Sequence, residues 1–329
     1  MPLVEARRYT PAPLHIGGHL QTILPSAFRR VRGVTYRRER LELPDGDFVD
    51  MDWASAVLNS SSPKAQRVVV LSHGLEGDSH RHYILALAKL FTRHGWDALA
   101  WNCRSCSGEM NRLPRLYHHG ATEDLAAVVQ FAIRQRKYTQ VALVGVSLGG
   151  NLTLKYLGEN GDSLPPEVIG GVGISVPADL VAGEEILALP DRRIYQQRFL
   201  KKLRPKVEVM AQRVPGLSLT GYDQIKRFRE FDDRYTAPLH GFASALDYYT
   251  RVSSNQFVER IARPALLLSA RNDPFLAPSC FPEAIALRHR SFYVEITEQG
   301  GHVGFMQLAK EFSYSELRAL EFITSIEVT

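Results

Sequence analysis

The stretch 141–157 restricts the fold of this chain more than any other. Val141-Ala142-Leu143-Val144-Gly145 reads as a buried strand, and it passes through Gly145-Val146-Ser147-Leu148-Gly149-Gly150 straight into a helix running to about Leu157. A strand that feeds a helix with so little chain between them needs a tight turn, and Gly145 and Gly149 let the two backbones approach. Such a turn holds Ser147 under strain with its hydroxyl exposed. The helix N-terminus behind it supplies partial positive charge and the Leu148 N–H. The pattern G-x-S-x-G has chemical meaning only in this strand–turn–helix setting, and here it has it.

The rest of the chain repeats the alternation. Val68-Val69-Val70-Leu71 reads as a strand ending at Ser72-His73-Gly74, followed by a helix over 83–94 that Gly95 stops. A strand over 96–101 precedes a helix over 122–136, with Thr122 as its cap and Glu123 and Asp124 in its first turn. Further strands are expected over 168–176, 265–269 and 292–296, and a leading hairpin over 36–53 turned by Pro44-Asp45-Gly46. Strand and helix alternating this way predict an α/β fold, a mostly parallel central sheet with helices on both faces. Between about 177 and 259 the rhythm stops. That span is charged, helical in flavour and broken by Pro190, Pro205, Pro215 and Pro238. It predicts a helical cap inserted into a single domain spanning 1–329. No internal repeat occurs, and the only low-complexity tract is the short Asn59-Ser60-Ser61-Ser62-Pro63 turn.

Serine needs a base, and the base needs an orienting acid. In the chain order Ser…Asp/Glu…His, both partners follow later strands. Asp273 stands in Ala270-Arg271-Asn272-Asp273-Pro274-Phe275, and His302 in Glu298-Gln299-Gly300-Gly301-His302-Val303-Gly304. Each lies just past the C-terminal end of a predicted strand, where open α/β sheets collect functional groups. A second oxyanion donor is expected from His73-Gly74-Leu75-Glu76-Gly77, with Gly74 taking an unusual backbone angle and Leu75 offering its N–H. His73 is expected to brace that loop rather than act as a base.

Composition sets the frame around this site. The 329 residues are 45% apolar and 23% charged, ordinary for a globular protein. No run approaches the roughly 18 to 20 apolar residues of a membrane helix. The N-terminus lacks the pattern of a secretory signal, and three cysteines fit a reducing, cytoplasmic compartment. The formal charge of +5 is unevenly spread: +5 falls within 29–40 and +7 within 192–213, which leaves the remainder at −7. No nucleic-acid-binding pattern accompanies these stretches, so solvated basic faces are expected and nucleic acid is not a predicted partner. The 192–213 stretch carries one testable idea. If it faces the substrate, Lys201, Lys202 and Arg204 favour anionic lipid esters or an anionic membrane surface. Cys103-x-x-Cys106 with His118 and His119 lacks the two spaced pairs of structural zinc, and His80 and His82 read as a helix start, so no metal is predicted. Asp232-Asp233 is read as structural.

These residues resemble the α/β-hydrolase superfamily. The details resemble one branch, the YheT-like family or AB-hydrolase family four, which includes bacterial esterases and eukaryotic relatives acting on phospholipids and acylglycerols. The resembling segments include Gly18-His19-Leu20-Gln21-Thr22, Ser72 to Gly77, Asn102 to Glu109, Asn111 to His118, Gly145 to Asn151, Phe231-Asp232-Asp233, Thr236 to Phe242, Asp273-Pro274-Phe275 and Gly300 to Phe305. The resemblance runs from about residue 11 to near the C-terminus. It implies Ser147 as nucleophile, Asp273 as acid and His302 as base. Many members have two adjacent acids before the proline; here the first is Asn272. The eukaryotic relatives carry an N-terminal membrane helix, which is not expected of this chain. The expected activity is serine-dependent cleavage of carboxylic esters, on a small-molecule or lipid substrate, without a cofactor. Lysophospholipase or thioesterase activity uses the same machinery, and a non-catalytic binding module on the same fold is the competing class.

Overall fold

The computed structural model describes residue 4 and residues 9–57 and 66–326. The turn expected at 59–63 lies outside them. Eight strands form one sheet: β1 (Arg37–Glu42), β2 (Phe48–Ala54), β3 (Arg67–Ser72), β4 (Asp97–Asn102), β5 (Gln140–Val146), β6 (Val168–Ile174), β7 (Ala265–Ala270) and β8 (Phe292–Thr297). Their order is β1-β2-β4-β3-β5-β6-β7-β8. β1 and β2 form the leading hairpin and β2 pairs antiparallel with β4, while every pairing from β4 onward is parallel. Parallel strands need covering on both faces, and period-two alternation supplies the apolar side chains. Along β5, Val141 and Leu143 enter one core, while Ala142, Val144 and Val146 enter the other.

Helices α1 (Gly17–Phe28), α2 (His82–Arg93), α3 (Thr122–Arg134) and α4 (Leu148–Asn160) come before β6, and α10 (Glu283–Arg288) and α11 (Tyr314–Ile326) after β7. α3 and α4 cover one face through residues such as Leu125, Val129, Leu152 and Leu157. α2 and α11 cover the other through Ile84, Leu87, Phe91, Ala319 and Ile323. Thr122 does not cap α3. The cap position is Ala121, without a side-chain bond, and the Thr122 hydroxyl donates to Glu159 instead. Glu159 offers a carboxylate, a stronger acceptor–donor partnership than a backbone cap.

Between β6 and β7 lie α5 (Leu180–Leu187), α6 (Arg193–Arg213), α7 (Phe228–Phe231), a π-helical turn (Asp232–Thr236), α8 (Ala237–Leu239) and α9 (Ala245–Val252). Pro205 does not break α6, which runs through it. Leu200, Leu203, Val207 and Met210 pack one face of that helix against Leu116, Tyr222, Phe231 and Tyr235, and this burial outweighs the hydrogen bond a proline forfeits. The basic stretch 29–40 is largely paired. Arg38 and Arg40 on β1 face Asp52 and Asp50 on β2 in direct cross-strand register, and Arg29 meets Glu316. Among the described residues no helix is long and apolar enough to cross a membrane.

Candidate active site

Parallel register brings the functional loops to one edge of the sheet. Ser72 at the end of β3 lies opposite Gly145 near the end of β5, and Ala270 on β7 opposite Thr297 on β8. Ser147 follows β5 and adopts φ +56° and ψ −117°, a region that L-residues seldom occupy. Its neighbours explain how this is held. A Cβ on Gly145 would fall 1.9 Å from the Gly149 carbonyl oxygen, and one on Gly149 would fall 2.1 Å from that of Ser72. Only glycine allows helix α4 to seat this close to β3 and β5.

His302 Nε2 lies 2.9 Å from Ser147 Oγ, and His302 Nδ1 lies 2.8 Å from Asp273 Oδ2. A carboxylate only accepts, so Nδ1 carries the ring proton and Nε2 presents its lone pair to the serine hydroxyl. The Phe275 N–H donates to Asp273 Oδ1 at 2.8 Å, and the Phe275 ring stacks on the imidazole with centroids 4.1 Å apart. Asp273 is thus bonded on both oxygens, and the ring is fixed in its plane.

The loop after β3 can be read amide by amide. The Gly74 N–H donates to the Tyr83 hydroxyl, the Glu76 N–H to the Tyr117 hydroxyl, and the Gly77 N–H to the Gly74 carbonyl. Among the described residues Leu75 N–H has no protein acceptor, and neither has Leu148 N–H at the start of α4. Gly74 does not take the unusual backbone angle expected of it. Glu76 does, at φ +51°, while a Cβ on Gly74 would sit tightly against Ser147 Cβ at 3.2 Å. His73 is fully buried. The Cys103 N–H donates to its Nε2, so Nδ1 donates to the Gly74 carbonyl, bracing the loop as expected. Burial pushes the His73 ring down to about 4, which keeps it neutral.

Two cavities open on this cluster. The larger, about 960 Å³ including its mouth, is walled by Leu116 and, from the segment between β6 and β7, by Leu180, Phe199, Leu203 and Phe228, with Ser147 and His302 at one end. Its polar wall carries His118, His119, Tyr249 and Asp232. The π turn sets Asp232 there, bonded to Thr236 and Tyr249 hydroxyls, and burial pushes its carboxyl up to about 7. Asp233 instead accepts the Ala245 N–H, so the pair divides between cavity wall and scaffold. The second cleft, about 740 Å³, reaches Ser147 and His302 from the side of α1, α2 and α6. Cys103 is buried in the sheet core, and Cys106 Sγ lies 3.2 Å from Lys206 Nζ; burial pushes both thiols up, so they stay protonated.

One buttress escaped sequence reasoning. Gln21, only 1% exposed, accepts from the Gly300 N–H and Asn272 Nδ2 and donates to Gln299 and the His15 carbonyl. Thr22 Oγ1 accepts the His302 N–H at 2.8 Å, and Asn272 accepts the Gly301 N–H. The N-terminal helix α1 therefore ties the Asp273 loop to the His302 loop. The signal was present in the Gly18-His19-Leu20-Gln21-Thr22 segment, which the resemblance marked without assigning it a role.

Comparison with known proteins bears on this geometry. The family profile described as the alpha/beta hydrolase fold matches residues 67–307. The Escherichia coli (strain K12) protein named "Putative esterase YheT" is 38% identical over 88% of this chain and 84% of its own length. The mouse protein named "Phospholipase ABHD3" is 31% identical over 87% of this chain and 70% of its own length. Among solved structures, the Pyrococcus furiosus esterase Pf2001 superposes with a TM-score of 0.60 over 91% of this chain and 96% of that one, at 16% identity, a likeness of fold. The profile match and the 38% relative, taken with the sheet and the strand–turn–helix at Ser147, establish that the chain belongs to the α/β-hydrolase fold family, in its YheT-like branch.

Proposed function

We propose that this chain hydrolyses carboxylic esters through an acyl-enzyme on Ser147. The observation that carries the reading is the continuous contact from Ser147 Oγ to His302 Nε2 and from His302 Nδ1 to Asp273, at the end of an apolar cavity. Ser147 Oγ attacks the ester carbonyl carbon as His302 Nε2 takes its proton. The tetrahedral oxyanion is met by the Leu75 and Leu148 N–H groups, neither of which has a protein acceptor among the described residues. The acyl–oxygen bond breaks, His302 gives its proton to the departing alkoxide, and the alcohol leaves. Water then attacks the acyl-enzyme, losing a proton to His302, and the acid departs as Ser147 regains its hydrogen. Asp273 holds the imidazole in the one tautomer that can do this.

The apolar cavity supports an acyl chain of short to medium length or a lipid ester, and the similarity to a phospholipase points the same way. Thioesters would be cleaved by the same steps. The test is turnover of esters graded from acetyl to palmitoyl, run beside Ser147→Ala. Ester cleavage that vanishes in the variant supports the reading. Equal residual rates in both proteins, each well folded, would leave a binding module on a hydrolase fold.

A further inference from the structure

The two cavities that meet at Ser147 and His302 differ in chemistry. The larger is apolar along most of its wall. The second carries Arg81, Arg198 and Lys202, with Glu76 as the one acid among its described lining residues. That acid is already taken, by Lys206 at 2.5 Å and by the Tyr117 hydroxyl at 2.8 Å. Among the described residues none of the three cations has a carboxylate within ion-pair distance. Arg81 is held by neutral groups, the Tyr83 hydroxyl and the Ser26 hydroxyl at 3.5 Å, and Lys202 reaches the Glu76 carbonyl at 3.4 Å.

Their neighbours on the same helix show that this arrangement is local. Arg204 is paired with Glu208 and Asp223, Lys206 with Glu76, and Arg204 and Lys201 line neither cavity. Of the cations proposed from sequence, only Lys202 faces the site. Its ammonium is pushed below its ordinary range, by burial first and then by Arg81 and Arg198, and the more distant Glu76 and Asp78 carboxylates offset this only in part. Such a cluster is costly alone and favourable once an anion sits in it.

We infer that this cleft receives a phosphate-type anion carried on the alcohol half of the ester, while the acyl chain occupies the apolar cavity; the inference rests on the esterase reading of Ser147. His302 borders both cavities, so the oxygen it protonates lies between them, with the alcohol on the cationic side. The phosphate is a handle and keeps all its bonds: only the acyl–oxygen bond breaks, water supplies the hydroxyl of the acid, and the phosphorylated alcohol leaves protonated at carbon-bound oxygen.

The test uses octanoylglycerol phosphate and octanoylglycerol, which share an acyl chain and differ in charge, as dissolved monomers with the full chain. The wild-type protein is expected to favour the phosphate ester in kcat/KM, with a preference that shrinks as salt is raised. The variant R198Q/K202Q is expected to lower the ratio of the two kcat/KM values about tenfold, two partly exposed charge contacts being removed. K201Q/R204Q, on the same helix but off the cleft, is expected to leave the ratio where it was. Equal kcat/KM for the two esters in the wild type, or an equal shift in both variants, overturns the inference. So does inhibition by inorganic phosphate without any preference between the esters, which would mark an anion site that substrate does not use. A preference seen only on vesicles of anionic lipid would place the effect at a membrane contact and overturn it too. Labelling of Ser147 by a fluorophosphonate separates the two failures: with labelling and a ratio near unity this inference alone falls, whereas without labelling or turnover the esterase reading falls and takes it along.

Discussion

Replacing Gln21 with alanine removes a side chain that is far from Ser147 in the sequence and touches no atom of it, yet the structure predicts a double loss. The amide of Gln21 accepts from the Gly300 N–H at 2.8 Å and from Asn272 Nδ2 at 2.9 Å, and it donates to Gln299 Oε1 at 2.8 Å and the His15 carbonyl at 2.9 Å. Alanine strands the Gly300 N–H in a buried site and leaves Asn272 half-satisfied. Each buried donor left unpaired costs about 1–3 kcal/mol, so the two together cost about 2–6 kcal/mol, a large part of a typical domain's total. The same bonds set the turn that carries His302, and a shift on the order of 1 Å at a general base lowers turnover by about 10²-fold. Urea unfolding and kcat with a neutral octanoyl ester read the two effects separately. Gln21→Met, of similar volume but without the amide, controls for the cavity. Wild-type stability and wild-type kcat in both variants would refute the reasoning.

Three further outcomes follow from the same contacts. Asp273→Asn presents an amide to His302 Nδ1 where a carboxylate held the ring tautomer, so kcat is expected to fall by about 10⁴ with folding intact; a loss under tenfold contradicts the role given to Asp273. Gly149→Ala places a Cβ 2.1 Å from the Ser72 carbonyl oxygen and 2.8 Å from that of His73, both backbone atoms, so α4 must move off β3. Its kcat/KM is expected to drop about 10²-fold, and an unchanged value would show that the tight approach is dispensable. Acid should weaken the fold in a defined window. Buried His73 titrates near 4 folded and near 6.5 unfolded, so between those values the unfolded chain binds the proton and stability falls with falling pH, by about 3 kcal/mol for this group alone. Asp232, pushed up to about 7, works in the opposite sense: its contribution is full below about 4 and is lost as pH rises through 7. Asp232→Asn should therefore steepen the acid loss in urea midpoints taken across this window, and a shallower loss would contradict the assignment.

How much of this was legible in the sequence depends on whether a residue's task is local. Ser147, Asp273 and His302 each follow an apolar strand directly and stand among turn-forming residues, so their positions at one sheet edge could be read from pattern and order. The parallel sheet was legible for the same reason, because the period-two runs of β3, β5, β6 and β7 are short, apolar and separated by helices. Gln21 and Thr22 were not legible in their role. The partners that matter, in the Asn272 and His302 loops, are 251 to 280 residues away, and polar residues that act by hydrogen bonding leave no periodic trace. Gly74 was read for its freedom of angle when it stands instead in close approach to Ser147, and the strained angle falls on Glu76 because Tyr117 and Lys206 hold it there. Thr122 looked like a cap because a hydroxyl stood before two acids, but Glu159, brought near by the packing of α4 on α3, takes that hydroxyl. The basic run of α6 showed its charge but not its facing, since helical phase against the rest of the molecule decides that Arg198 and Lys202 meet the cleft and Lys201 and Arg204 do not.

The most direct test of the central claim is intact-mass measurement after exposure to a fluorophosphonate, comparing the wild-type protein with Ser147→Ala. An activated serine held by His302 at 2.9 Å predicts one adduct on the wild type, located on Ser147 by peptide mapping, and none on the variant. A folded wild-type protein that takes no adduct, or one that carries it in both proteins, would contradict the account.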